Sequence, residues 1–243
     1  MVGQKMAEFS SLTVSGLNCY YGKAHILKDI SLTVSRSEVL CILGRNGAGK
    51  TTTLKAIMGL VRPRSGVISL DGVDLTRVPA HKLFSYGLSY VPQGRRLFPD
   101  LTVEENLRIS PLVRRGNQEV IREVWEIFPA LKERMRQKAG TLSGGEQQML
   151  AIARALCMKP KFLLMDEPTE GLMPLLVSRV LESIRSLKAR GLGILLVEQR
   201  IDAAFKVADR VLIMENGRIA HETTPQQLYA NAEVLLKYLG IKR

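Results

Sequence analysis

Hydrophobic residues along the chain fall into short runs, separated by longer segments in which apolar positions recur with a helical spacing. Three runs are almost wholly apolar and each ends at polar residues, which is typical of strands buried on both faces of a parallel sheet. These runs cover Val39–Leu43, Phe162–Asp166 and residues 194–198. Helices are predicted between them, at residues 49–60 and 175–189. The pattern therefore predicts an α/β fold built on a parallel sheet.

Two regions depart from this pattern. Strands predicted near the N-terminus, at residues 12–19, 30–34 and 67–70, alternate apolar and polar positions, as an antiparallel element with one face in water does. Residues 94–140 are more charged and helix-like at 103–107 and 119–133, with breaks at Pro111, Gly116 and Pro129. We interpret this second region as a helical insertion into the α/β core.

The composition is that of a globular protein in a reducing compartment. Of the 243 residues, 46% are hydrophobic, which is far more than a disordered chain carries. Cys19, Cys41 and Cys157 are too widely spaced for a zinc site or a redox pair, so we expect each to fill space in the core. Residues 1–11 lack the apolar core of a secretory signal, and no run of about 18 apolar residues is present to span a membrane. We therefore expect a cytoplasmic location.

The net charge of +12 is spread along the chain rather than concentrated in one segment. A protein that follows a phosphate backbone usually gathers its lysines and arginines into a patch or an arm. The dispersed excess is more typical of a soluble basic surface, or of a protein whose ligand carries phosphates. We therefore expect no nucleic-acid partner.

A glycine-rich segment joins the first buried strand to the helix that follows it. It comprises Gly44, Arg45, Asn46, Gly47, Ala48, Gly49, Lys50, Thr51 and Thr52. This is the phosphate-binding loop pattern in its required context of strand, loop and helix. Glycines let the backbone curl until successive N–H groups point at a phosphate, Lys50 supplies positive charge for the outer phosphates, and the Thr51 hydroxyl can ligate Mg²⁺. The segment predicts binding of a nucleoside triphosphate.

Two adjacent carboxylates, Asp166 and Glu167, stand at the end of the second buried strand. Ligands of open α/β sheets bind at such carboxyl ends. Because side chains alternate along a strand, the two carboxylates should diverge, which suits two tasks: Asp166 for Mg²⁺ and Glu167 for a water molecule.

A serine and two glycines open a further predicted helix. Ser143 and Glu146 fit a capping box, which satisfies the first N–H groups of that helix. Gly144 and Gly145 leave free N–H groups beside the helix N-terminus, an arrangement that also suits an anion. Capping of the helix and binding of an anion are compatible.

These three motifs, in this order and spacing, resemble the ATP-binding subunit of ABC transporters, over about residues 12–239. The resemblance implies an aromatic residue stacked on adenine, at Tyr21, with Tyr20 as a close competitor. It further implies that Gln93 senses Mg²⁺ and the attacking water. It also implies a single ABC ATPase domain over residues 1–243, with the nucleotide-binding core and β element at 1–93 and 159–243, and a helical subdomain at 94–158 that ends in the helix begun by Ser143.

The family also implies a dimer. Two chains associate head to tail, so Ser143, Gly144, Gly145 and Glu146 would serve the ATP held by the partner chain. Glu167 would polarise the attacking water, while Lys50 and Mg²⁺ would stabilise charge in the transition state. ATP and Mg²⁺ are therefore the expected cofactors, and the partner ATPase could be an identical copy or a related chain.

Two departures from the usual family pattern narrow the resemblance. Gln199 stands where most members have a switch histidine, and Met173 replaces a final aspartate. Gln199 can donate a hydrogen bond to phosphate but cannot titrate near neutral pH. These features resemble the importer ATPases for branched-chain amino acids and their relatives for urea or short amides. Two alternatives stay open: a soluble ABC ATPase acting on ribosomes or DNA, and an exporter ATPase for lipid-linked glycans.

An importer of this kind implies further partners. Two transmembrane permease subunits would hold the ATPase against the inner face of the cell membrane. A periplasmic solute-binding protein would act on it indirectly, through those permeases. The transported solute would contact only these other subunits, so no residue of this chain identifies it.

Overall fold

A computed structural model describes residues 10–114 and 116–240 of the chain. The strands within these ranges are β1 Ser11–Tyr21, β2 Ala24–Ser35, β3 Val39–Leu43, β4 Ser65–Leu70, β5 Val73–Asp74, β6 Leu88–Val91, β7 Phe162–Asp166, β8 Gly193–Glu198, β9 Arg210–Glu215 and β10 Arg218–Thr223. The expectation about a secretory signal concerns residues that lie mostly outside the described ranges.

Most helices of the described chain are α-helices, and a few helical turns are of other types. The α-helices are α1 Lys50–Ile57, α2 Val103–Arg108, α3 Pro111–Arg114, α4 Gln118–Ile127, α5 Pro129–Glu133, α6 Gly144–Leu156, α7 Pro174–Ala189, α8 Ile201–Val207, α9 Pro225–Ala230 and α10 Ala232–Val234. Tighter turns of helix cover Ala80–Tyr86 and Ala139–Thr141, and a wider π-helical turn covers Leu235–Leu239. In the ranges that the structure describes, no helix has the length and apolar character needed to cross a bilayer.

Six strands form the central sheet, in the order β10-β9-β3-β8-β7-β6. All neighbouring pairs from β9 to β6 are parallel, and β10 is an antiparallel edge strand. The carboxyl ends of β3, β6, β7 and β8 therefore lie at one edge of the sheet. The glycine-rich loop, Gln93, the pair of Asp166 and Glu167, and Gln199 stand at or just after the ends of these four strands, so the topology brings them together. Tyr21 and the segment of Ser143 follow none of the four.

A second sheet of four antiparallel strands, in the order β2-β1-β4-β5, covers one side of the molecule. Its burial alternates along β1, as the sequence pattern predicts for a sheet with one face in water. The α/β fold with an antiparallel β element is thus confirmed.

The central sheet carries a hydrophobic layer on each face. Along β3, the side chains of Val39, Cys41 and Leu43 join a core formed with α2 and α4 to α8, whereas Leu40 and Ile42 join a core formed with α1 and the antiparallel sheet. All five side chains have no exposed surface. Full burial of such a side chain contributes about 1.5–3 kcal/mol, so both layers hold β3 in place. The three cysteines are also buried and unpaired, as expected.

Several predicted boundaries need correction. The break predicted at Pro129 is present and divides residues 119–133 into α4 and α5, because Pro129 lacks an N–H and restricts Phe128, whose φ of −126° is not helical. The helix predicted at 49–60 ends at Ile57, and the strand predicted at 30–34 is the C-terminal half of a longer strand, β2. Strands β5, β6, β9 and β10 were not predicted: β5 and β6 are short, β10 is mostly polar, and the apolar run of β9 was missed.

Candidate functional site

The glycine-rich loop wraps around the side chain of Lys50, the first residue of α1. Lys50 Nζ donates hydrogen bonds to the backbone oxygens of Gly44 at 2.8 Å and Arg45 at 3.1 Å, and only 5% of the residue is exposed. Gly49 precedes the helix with a φ of 111°, a conformation in which a side chain would be strained and would also meet Met214. Glycine at this position therefore lets the loop close against the start of α1.

Burial and nearby carboxylates act in opposite directions on the Lys50 ammonium. Desolvation lowers the pKa of Lys50, while Glu167, Asp166 and Glu198 oppose that shift. Glu167 Oε1 lies 4.0 Å from Lys50 Nζ. A positive charge therefore lies at the base of the loop, beside three carboxyl groups.

An open cleft of about 480 Å³ lies in front of this loop. Ten residues predicted from the sequence line it, namely Tyr21, Asn46, Gly47, Gly49, Lys50, Thr51, Thr52, Gln93, Glu167 and Gln199. Ile26 and Glu170 line the cleft as well and were not predicted. Gly44, Arg45 and Ala48 do not line it, and Gly44 and Arg45 supply the two carbonyl groups that bind Lys50.

Asp166 and Glu167 diverge as predicted, but Glu167 lies beyond β7 with a left-handed φ of 48°, so strand alternation alone does not set its direction. Asp166 is 1% exposed, and its carboxylate accepts hydrogen bonds from Thr51 Oγ1 at 3.0 Å and from the Tyr90 hydroxyl at 3.1 Å. Burial raises the pKa of Asp166, and these two hydrogen bonds partly offset the effect. Glu167 instead faces the cleft, where Oε2 accepts a hydrogen bond of 2.6 Å from Gln199 Nε2.

The oxygens of Thr51 and Asp166 fit a magnesium ion. A hydroxyl and a carboxylate are hard oxygen donors, and Mg²⁺ is commonly bound by one or two protein groups together with substrate phosphates. Within residues 10–114 and 116–240, no cluster of three or more His, Cys, Asp or Glu side chains could hold a metal on its own. Thr51, which lines the cleft, and Asp166, which is buried next to it, are thus the residues that would hold Mg²⁺, and phosphate oxygens would complete its shell.

Gln93, just beyond β6, is bonded to a residue that sequence reasoning missed. Its Nε2 donates to Glu170 Oε2 at 2.9 Å, across the mouth of the cleft. Glu170 is three residues after Glu167 in the same turn, a spacing that could have pointed to it. Gln93 therefore reaches the cleft that holds Thr51, while its amide is bonded to Glu170 and not to the pair formed by Thr51 and Asp166.

The structure distinguishes the two adjacent tyrosines. Tyr21 is 48% exposed and lines the cleft. The Tyr20 ring is stacked on His25 with centroids 4.1 Å apart, and the Arg64 guanidinium lies 5.1 Å from its centroid. Tyr20 already has ring partners within the chain, so the geometry favours Tyr21 as the residue available to an adenine base.

The segment of Ser143 lies away from this cleft. Ser143 caps α6 with a complete capping box: its Oγ accepts from Glu146 N, and Glu146 Oε2 accepts from Ser143 N at 2.9 Å. Burial alone would raise the pKa of Glu146, but hydrogen bonds from Ser143 and the charge of Arg134 lower it. Ser143 is exposed, and neither it nor Gly144, Gly145 and Glu146 lines the cleft of Lys50. These four residues therefore cannot serve the same cleft in this arrangement of one chain.

Glu198, the last residue of β8, is a buried carboxyl group that the sequence reasoning did not single out. It is 2% exposed and accepts hydrogen bonds from Thr169 and from the backbone of Gln199. The signal was present, because Glu198 and Gln199 are two adjacent polar residues at the end of a buried strand, as are Asp166 and Glu167.

Comparison with known proteins agrees with this geometry. The family model described as ABC transporter matches residues 27–170. The high-affinity branched-chain amino acid transport ATP-binding protein BraG of Pseudomonas aeruginosa is 43% identical over 94% of this chain and 99% of its own length. The lipopolysaccharide export system ATP-binding protein LptB of Haemophilus influenzae is 38% identical, over 95% of this chain and 98% of its own.

A solved structure shows the same fold. The ADP conformation of an ATP-binding cassette from an ABC transporter superposes with a TM-score of 0.85, over 96% of this chain and 99% of that one, at 28% identity. The cleft, the family model and these full-length relatives lead to one assignment: the chain belongs to the ABC transporter family, as a subunit that binds and hydrolyses ATP.

Proposed function

We propose that this protein is the ATPase subunit that powers an importer of branched-chain amino acids. The observation that carries the proposal is the 43% identity to BraG over nearly the full length of both proteins. A probable branched-chain amino acid transport ATP-binding protein of Archaeoglobus fulgidus is 38% identical over 93% of this chain and supports the same cargo. Gln199 supports import over export, because the exporter ATPases generally keep a histidine there.

Hydrolysis is assigned to residues that already meet in the cleft. The amides of the glycine-rich loop and the Lys50 ammonium bind the outer phosphates of ATP. Glu167 is the residue that orients water for in-line attack on the γ-phosphate, since its carboxylate faces the cleft and is held by Gln199. Thr51 and Asp166 would hold Mg²⁺, which would neutralise charge on the phosphate oxygens. Tyr21 packs against the adenine.

A second ATPase subunit completes the site in this proposal. Ser143, which caps α6, is exposed and does not line its own chain's cleft, while Gly144 is half-buried and Gly145 is buried beside Leu176. A helix N-terminus binds anions, so that of one chain suits the phosphates held by another. The partner can be an identical copy or a related chain.

The permease partners require a surface, and an apolar groove beside β6 provides one. It has a volume of about 550 Å³ and is lined by Phe84, Phe98, Ile109 and further apolar side chains. Ser89 also lines it, and its buried hydroxyl has no hydrogen-bond partner among the described residues. A partner segment with an apolar face would fit the groove, although the Ser89 hydroxyl is too deeply buried for that partner to reach. We assign this groove to the transmembrane permeases, on the inner face of the membrane.

Reconstitution tests the cargo. The chain is assembled in liposomes with its cognate permease subunits, a partner ATPase and the solute-binding protein, and ATP hydrolysis is measured with different solutes. Leucine, isoleucine or valine should stimulate hydrolysis several-fold over the unliganded system. Stimulation by urea or a short amide, without a response to leucine, would show that the cargo is wrong while leaving the ATPase assignment intact.

A further inference from the structure

A buried carboxylate at the end of β8 has no role in the hydrolysis scheme above. The side chain of Glu198 accepts hydrogen bonds at Oε1 from Thr169 Oγ1 at 2.8 Å and from Thr169 N at 3.2 Å. Its other oxygen accepts from Gln199 N at 3.3 Å. Removing a charge from water costs several kcal/mol, so a carboxylate with 2% exposure needs these donors.

The two backbone segments that Glu198 joins carry the residues assigned to hydrolysis. Thr169 lies two residues after Glu167, and Gln199 directly follows Glu198. The side chains of Glu167 and Gln199 meet at 2.6 Å, and Glu167 N donates to Val197 O at 2.9 Å. The Glu198 carboxylate therefore accepts hydrogen bonds from both backbone segments, while the side chains of Glu167 and Gln199 meet in the cleft.

Glu167 is in a conformation that its surroundings must maintain. Its φ of 48° lies in the left-handed region, which costs a non-glycine residue of order 1 kcal/mol or more. The turn that follows is fixed at Thr169 by two hydrogen bonds to one carboxylate oxygen. Loss of those bonds would release the turn next to the strained residue.

A carboxylate performs this task in a way that an amide cannot. Both of its oxygens are acceptors, and together they offer about four lone-pair positions. A glutamine at the same position has only one acceptor oxygen. Its NH₂ group would face either the donors of Thr169 or the N–H of Gln199. The requirement for acceptors on both sides explains why an acidic residue is suited to this buried position.

We propose that Glu198 is a positioning residue for ATP hydrolysis, whose carboxylate holds the turn after Glu167 and the backbone of Gln199 so that their side chains meet in the cleft. This inference rests on the roles proposed above for Glu167 and Gln199. It assigns no contact between Glu198 and the nucleotide.

The ionisation of Glu198 gives this role a measurable signature. Burial raises the pKa of Glu198 to about 7, against the opposing effect of hydrogen bonds from Thr169, Arg200 and Gln199. The charged or titratable groups that interact with it are Lys50 from α1, Cys41 from β3 and Arg200 from the turn after β8. As the pH falls through 7, Glu198 becomes protonated, and the oxygen that carries the proton points an O–H at a group that is itself a donor. The hydrogen bonds of Glu198 to Thr169 and to the backbone of Gln199 are thereby weakened. Turnover should therefore fall on the acidic side of neutrality.

The experiment compares kcat and KM for ATP between pH 5.5 and 9 in the full-length chain and in matched variants. Glu198→Gln should lower kcat about tenfold at pH 8, leave KM within about twofold, and lack the acidic limb that the parent shows. Thr169→Val removes a hydrogen bond to the ionised form, so its acidic limb should move to higher pH, and Thr169→Ser should restore the parent profile. Ionisation of ATP is common to all variants, so differences between them belong to the protein.

Glu38→Gln is the control, since Glu38 is another nearly buried carboxyl group, bonded to Ser35 N and Arg210 before β3. It should change stability without changing the pH profile. A pH profile of kcat like the parent's in Glu198→Gln would overturn the proposal. If that variant does not fold, an acidic limb in Thr169→Val at the same pH as in the parent would overturn it instead. Glu167→Gln and Gln199→Ala are measured alongside. If both retain turnover, the proposed hydrolysis scheme fails; if both lose it while the Glu198 and Thr169 variants behave like the parent, only the present inference fails.

Discussion

Asp166 and Glu167 are adjacent at the end of β7, but their surroundings differ. Asp166 is buried against Thr51 and Tyr90, whereas Glu167 faces the open cleft and meets Gln199. Lys50 lies between them and the loop carbonyls, where it is nearly inaccessible to water. Lys50 is placed to bind phosphate and Glu167 is placed to orient water. Substitutions at these two positions should therefore have separable effects on nucleotide binding and on hydrolysis.

Removal of the Lys50 charge should weaken nucleotide binding. A charge-assisted hydrogen bond contributes about 1.5–3 kcal/mol, so Lys50→Ala should lower ATP affinity roughly 10- to 150-fold, measured by titration calorimetry. Lys82→Ala, at an exposed lysine outside the cleft, is the control and should bind ATP normally. Unchanged affinity in Lys50→Ala would contradict the role of the loop.

The two adjacent tyrosines provide a matched pair. Tyr21→Ala should lower ATP affinity by about 1–3 kcal/mol, by analogy with the stacking of bases on aromatic side chains elsewhere. Tyr20→Ala should instead lower the free energy of unfolding, because Tyr20 is stacked on His25 inside the chain. Calorimetry and urea unfolding on both variants would separate the effects, and the reverse result would assign adenine to Tyr20.

At the scale of elements, three helices in the described part of the chain begin with the same capping box, one of them α9 with Thr224 and Gln227. Ser143 and Glu146 form a capping box on α6, and Thr102 and Glu105 form one on α2. Only the box on α6 is flanked by two glycines and is expected to face a partner's nucleotide. The boxes on α6 and α2 allow the structural contribution of a cap to be separated from its functional one.

Ser143→Ala and Thr102→Ala should each lower the free energy of unfolding by about 1 kcal/mol, because each removes an N-cap acceptor. Only Ser143→Ala should also reduce formation of the ATP-bound dimer. Size exclusion in a Glu167→Gln background, where slow hydrolysis is expected to trap that dimer, measures the difference. Equal dimer formation by the two variants would remove Ser143 from the interface.

The elements that could be predicted from sequence are those whose pattern is local. The apolar runs of β3, β7 and most of β8 and the glycine-rich loop define the parallel core and its cleft without reference to the rest of the chain. Strand β6 was missed because Ser89 and Tyr90 interrupt its apolar pattern, and only pairing with β7 reveals it. Contacts between distant segments, such as those of Gln93 with Glu170 and of Glu198 with Thr169, cannot be derived from spacing, since they depend on how strand ends meet.

At the scale of the whole molecule, Tyr90 lines the apolar groove and donates its hydroxyl to Asp166, which also accepts from Thr51 of the nucleotide cleft. The groove and the cleft nevertheless share no lining residue. Binding of ATP and contact with a permease should therefore be separable by mutation.

Ile109→Glu should impair coupling without impairing basal hydrolysis. Ile109 is 38% exposed in the groove, so a charge there should be tolerated by the fold and rejected by an apolar partner. Solute-stimulated ATPase activity in liposomes should be lost while the chain alone hydrolyses ATP at the parental rate. Leu60→Glu, at an exposed residue outside the groove, is the control; full stimulation of both variants would exclude this surface.

The distance of Ser143 from its own chain's cleft has a genetic consequence. In the proposed dimer, if its two chains are identical, a lesion at Lys50 would disable the cleft of the chain that carries it, whereas a lesion at Ser143 would disable the cleft of the other chain. A mixed pair, with one lesion in each copy, would concentrate both defects in a single cleft and leave the second one whole. Two inactive alleles would then complement each other when expressed in the same cell.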